Sequence, residues 1–193
     1  MVPKPKLNPD EILKAEFEYI ANTVFQANED RSRVASFYFV TVGSLVAAIL
    51  GTQFAADELR SVAVAFCLLF VVLTILGALT IAQLARLRAA WHESVQAMNE
   101  IKDFYIKHNK EIEPAFKWRM KSIPKTDKPY SIANMMAIEV ALLGALTSAA
   151  AVYFLLLVLG EIQWWGWFIL VLSLGIGFIA QWLWYKSLLV DTQ

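Results

Sequence analysis

Apolar residues in this chain gather into four long runs, at 34–55, 62–84, 135–159 and 164–185, and polar segments separate them. Each run is 22 to 25 residues long. About 20 consecutive apolar residues in a helix cross the hydrocarbon core of a bilayer, so the pattern predicts four transmembrane helices. The fourth run opens with Trp164, Trp165 and Trp167 and closes with Trp182, Trp184 and Tyr185. Amphipathic rings at both ends suit the two membrane–water interfaces.

Between and before these runs the period stays helical but only one stripe is apolar. Asn8-Pro9-Asp10-Glu11 reads as a helix start, with a capping Asn, Pro at the first helical position and acids at the positive end of the helix dipole. From there Leu13, Phe17, Ile20 and Val24 recur every three or four residues, and no Pro or Gly interrupts 10–42. Leu84, Leu87, Trp91, Val95, Met98, Ile101 and Tyr105 repeat the stripe after the second run. An extension of about 25 residues reaches nearly 40 Å at about 1.5 Å per residue. The matched stripes predict that 9–33 and 85–110 pair as an antiparallel helical stalk, with Phe17, Ile20 and Val24 against Trp91, Val95, Met98 and Ile101. The fold class is therefore an all-α membrane protein with four transmembrane helices in two hairpins, the first hairpin continuing into the stalk. Residues 9–110 form the first unit and 131–187 the second hairpin. Between them, 111–130 is a linker with a short interfacial helix over 113–120, where Phe116 and Trp118 alternate with Lys117, Arg119 and Lys121.

Charge orients this arrangement. Four crossings put the N-terminal segment, the linker region and the C-terminus on one side, and that side carries 16 of the 17 Lys and Arg residues. The positive-inside rule makes it the cytoplasmic side of the cell membrane. Composition agrees with a membrane protein: 58% of residues are hydrophobic and 18% charged, against about 25% charged in soluble domains. A net charge of zero supplies no field to attract nucleic acid. The single cysteine, Cys67, lies within an apolar run and excludes an internal disulfide.

Chemistry is sparse. There is no phosphate-binding glycine loop, since Gly175-Ile-Gly177 lacks a third glycine and a preceding strand. His92 and His108 lie too far apart on one helix to share a metal, and a solvated face explains His92, Glu93 and Glu100 better than a metal or proton relay. No cofactor and no enzymatic activity is expected. One ionisable residue stands inside a membrane run: Glu139. It reads as an ion or proton site, or as a structural group that reaches the headgroups or pairs with Arg31 or Arg33. Closeness to the cytoplasmic face favours the structural role. The segment Asn28-Glu29-Asp30-Arg31-Ser32-Arg33 forms either a solvated junction or a ligand collar where the stalk meets the membrane. Small residues recur every four positions at Gly43, Ala47 and Gly51, at Ala141, Ala145 and Ala149 beside Gly144 and Ser148, and at Ser173 and Gly177. Such faces let membrane helices approach closely, within a chain or between chains.

An amphipathic helix, two membrane helices and a long helical return, over roughly 9–110, resemble the SLATT-type membrane effector domains of bacterial nucleotide-signalling defence systems. The resemblance is architectural, and the second hairpin departs from it. It implies an oligomeric, pore-forming membrane protein. The expected function is a homo-oligomeric pore or channel-like effector. The alternatives are a scaffold subunit that binds a protein partner through its stalk and, more weakly, a small transporter using Glu139. Expected partners are the lipid bilayer and further copies of the chain.

Overall fold

Asn8 caps the first helix as its sequence predicts: its side-chain oxygen accepts a hydrogen bond from the Asp10 amide at 3.3 Å, and Pro9 opens the helix. The resulting α1 runs without a break over Pro9–Leu50, and α2 over Leu59–His108. Then come two short 3-10 turns, Lys110–Ala115 and Met120–Ser122. The helices α3, Ile132–Leu159, and α4, Trp164–Val190, complete the chain. The computed structural model describes residues 8–51, 59–160 and 162–190. The loop residues Asp57 and Glu58, and Glu161, lie outside them. Each of the four helices is long and apolar enough to cross a membrane.

Helix ends follow local chemistry. Ser131 caps α3 by accepting from the Asn134 amide, so this helix starts earlier than the apolar run that announced it. Gly160 ends it at φ 146°, a conformation that a side chain would strain. The helix expected over 113–120 does not form. Residues 116–119 leave helical geometry between the two 3-10 turns. Pro114 has no amide hydrogen to donate, and the Phe116 amide closes a tight turn onto the Glu113 carbonyl instead.

The α2 helix is the axis of the molecule, packing against α1, α3 and α4. Its stripe Phe70, Leu73, Ile81, Leu84 and Ala85 is buried. Against it lie Ala35, Tyr38 and Val42 of α1, Ala137, Val140 and Ala141 of α3, and Tyr185 and Leu189 of α4. Phe70 stacks on Phe154 of α3, and Phe66 meets the same ring at a tilt. Lipid tails are as apolar as these side chains, so the fit of surfaces, rather than removal from water, holds such helices together. In their polar extensions α1 and α2 remain side by side. Leu13 and Phe17 border one cavity with Ile101 and Tyr105, and Phe116 closes it. Val24 borders a second, of about 320 Å³, with Trp91, Val95 and Met98. The residues bordering the two cavities follow one antiparallel register along α1 and α2.

Candidate functional site

Two kinds of close approach matter, and small residues make the first. Ala141 and Ala145 of α3 are fully buried and Ala149 is half-buried. A methyl group added at Gly177 of α4 would meet Ser148 Oγ at 2.5 Å and the Ala145 Cα at 3.3 Å. One at Gly144 would overlap the Gln181 amide. One at Gly77 of α2 would lie 2.5 Å from the Tyr38 hydroxyl. The α3 and α4 small-residue faces, with Ser173 half-buried at the edge of the latter, thus pack within the chain. The α1 face does not. Gly43, Ala47 and Gly51 are all exposed, and a methyl group at Gly43 would meet nothing within 4 Å.

Polar groups inside the bundle are mostly self-contained. The Tyr38 hydroxyl donates to the Leu73 carbonyl at 3.2 Å. Thr74 and Thr147 bond across α2 and α3 at 3.1 Å, and each is also tied to a carbonyl of its own helix. Gln181 Oε1 of α4 and Asn134 Oδ1 of α3 are buried without a partner.

The second kind of approach is charged. Where the apolar runs begin and end, Arg31 of α1 and Arg88 of α2 are each only 5% exposed. Arg88 donates from Nε to the Thr126 carbonyl and from Nη2 to the Lys125 carbonyl, both at 3.2 Å, and its guanidinium carbon stands 4.5 Å from the centre of the Trp91 ring. Arg31 Nε and Nη2 are buried with no hydrogen-bond partner, as is Thr126 Oγ1. Burial lowers the pKa of the Arg31 guanidinium and the charge of Arg88 lowers it further; burial also lowers that of Arg88. Arg31 and Arg88 are at one level of α1 and α2, in the same antiparallel register that sets Val24 beside Val95.

Glu139 and Arg33 stand apart from this cluster. Arg33 is exposed and reaches Glu29 at 3.9 Å and Asp30 at 3.8 Å. Glu139 is exposed on α3, on the outward face that also carries Met135, Leu142 and Leu146. Among the described residues the ion pairs involve only Arg33 and Arg119, so the expected pairing of Glu139 with Arg31 or Arg33 is not formed. The reason is helical phase: Ala137, Val140, Ala141 and Gly144 turn inward, which turns Glu139 out. Arg88 and Thr126 were not among the candidate site residues read from the sequence. A signal was present, because Arg31 continues the buried stripe Ala27, Ala35, Tyr38 and Val42, and Arg88 continues Ile81, Leu84 and Ala85. Among the described residues no group of three His, Cys, Asp or Glu side chains could hold a metal ion.

Comparison with protein-family models, with characterised proteins and with solved structures finds no match.

Proposed function

We propose that this chain is a multi-pass membrane subunit that assembles with copies of itself through the outward face of α1 and acts as a homo-oligomeric pore or channel-like effector. Its two hairpins lie in the cell membrane, with the paired extensions of α1 and α2, the linker and both termini in the cytoplasm. The observation that carries the reading is the open ground at Gly43. Small residues facing lipid gain nothing there, whereas against another helix they permit close contact. Ala47 and Gly51 continue that ground at one-turn spacing. A conducting route would lie between subunits, since Thr74, Thr80 and Thr147 turn their hydroxyls to carbonyls of their own helices.

The same inward-turned hydroxyls favour a second reading, a scaffold subunit without conduction. Mass measurement of the purified protein in detergent, followed by ion flux in liposomes, separates the two. The first reading expects an oligomer that conducts, the second an assembly that does not. Gly43→Leu should release monomers; an oligomer unchanged by it would remove α1 from the interface. Glu139→Gln tests the transporter reading: a collapse of flux with folding and mass intact would give Glu139 a functional part, and unchanged flux would exclude it. Topology is read by cysteine labelling in a Cys67→Ala background. Exposed Tyr130→Cys should need permeation of the label and exposed Gln163→Cys should not. Thr126, although in a polar linker, is buried and a poor labelling position.

A further inference from the structure

A guanidinium keeps its proton in a protein, so burying one is costly unless its charge and its donors find partners. Acids near the junction do not supply a charge partner among the described residues. Glu29 and Asp30, the nearest in sequence to Arg31, turn outward with Arg33. Neutral carbonyls of Lys125 and Thr126 orient Arg88 without cancelling its charge. What remains is a cluster rich in donors: two nitrogens of Arg31, the unused hydrogens of Arg88 and the Thr126 hydroxyl beside it.

We propose that Arg31 and Arg88 together hold a phosphate-bearing anion, either the headgroup of an anionic phospholipid or a free phosphoryl group. Charge selects an anion, and the donor set selects one with several acceptor oxygens. The planar forks of two arginines match tetrahedral phosphate better than a single carboxylate, which one fork can satisfy. Depth selects the same chemistry. Arg31 lies three residues before the first apolar run and Arg88 four after the second. At about 1.5 Å per residue that is roughly 5 Å beyond the hydrocarbon, in the layer of lipid phosphates. The site joins three parts of the chain: α1 through Arg31, α2 through Arg88 and the linker through Thr126. An anion there would tie the polar extensions to the bundle.

The test uses the full chain, delipidated in a maltoside detergent. Inorganic phosphate is titrated against chloride at matched ionic strength, and short-chain phosphatidylglycerol is titrated separately, with thermal unfolding as the readout. At least one should raise the melting temperature saturably, and the arm that does so identifies the source. Arg31→Gln should weaken the apparent affinity about tenfold or more, as loss of a charged hydrogen-bonding group does. Without ligand, Arg31→Gln should be no less stable than the parent, because it removes an uncompensated charge. Arg33→Gln should leave the response intact. Should Arg31→Gln fail to fold, Arg31→Lys keeps the charge but loses the fork, and is expected to weaken binding as well. Two results would overturn the proposal: a response to phosphate and lipid no greater than to chloride, or a response undiminished in the Arg31 variant.

Discussion

The α3–α4 interface and the outer face of α1 are written in the same residues and meet different surroundings. Ala141, Ala145 and Ala149 are spaced like Gly43, Ala47 and Gly51. On the first, every gap left by a missing side chain is occupied: Ser148 fills the space at Gly177, and Gln181 that at Gly144. On the second, Gly43 borders empty space. A small-residue repeat thus states that a helix permits close approach and leaves open what approaches. The partner is settled by which helices the loops and the larger side chains bring together.

Enlarging a residue on each face should separate them. Gly177→Leu would drive four heavy atoms into Ser148 and the α3 backbone, and should lower stability by about 3 kcal/mol or prevent folding, as overpacking does. Unfolding in mixed micelles measures it, and a stable Gly177→Leu protein would break the comparison. Gly43→Leu should cost the fold of the single chain under about 0.5 kcal/mol, measured on dissociated protein, because nothing within the chain meets it. Between these extremes, Gly144→Ala adds one methyl against the end of Gln181, a side chain that can yield in part. A loss of about 1 to 2 kcal/mol is expected. If Gly144→Ala cost as much as Gly177→Leu, the interface would be rigid throughout rather than graded. Thr74→Val keeps shape and removes the bond to Thr147, for about 0.6 kcal/mol, the usual worth of an interhelical bond in a membrane protein. The smallest effect sets the bundle against the polar extension. Burial, and then the charge of Arg88, lower the pKa of His92 from its ordinary 6.5. A neutral histidine that resists protonation when folded contributes stability above that ordinary value. The contribution is lost as pH falls below about 6.5 toward the folded pKa. Melting temperature should therefore decline on mild acidification, and His92→Gln should flatten the slope. A slope unchanged in His92→Gln would place the titrating group elsewhere.

Arg31 and Arg33 repeat the lesson at the junction. They are two residues apart and of one chemistry, yet Arg33 lies in the open with two acids while Arg31 is enclosed without one. Helical phase explains the burial, since two residues on a helix face nearly opposite ways. The stripe from Ala27 to Val42 runs through Arg31, so its burial was legible in the sequence. The absence of a carboxylate beside it was not, because that depends on where α2, α4 and the linker place their charges.

Local and periodic properties were determined by the sequence alone. The four long apolar helices follow from run length, each run being long enough to cross a bilayer. The start of α1 follows from Asn8 and Pro9, because an orphan amide needs an acceptor within reach. The facing stripes of α1 and α2 follow from the period of 3.6 residues, which sorts apolar side chains to one side before any partner is present. Everything that depended on a second element was left to the tertiary structure. Pro114 and its neighbours gave turns where basic and aromatic residues had suggested a helix. Glu139 turned outward because the small residues of α3 were claimed by α2 and α4. Arg88 was fixed by carbonyls 37 and 38 residues away in a linker that composition marked only as a loop. Contacts at such separations depend on how whole helices settle against one another, and no window along the chain contains both partners.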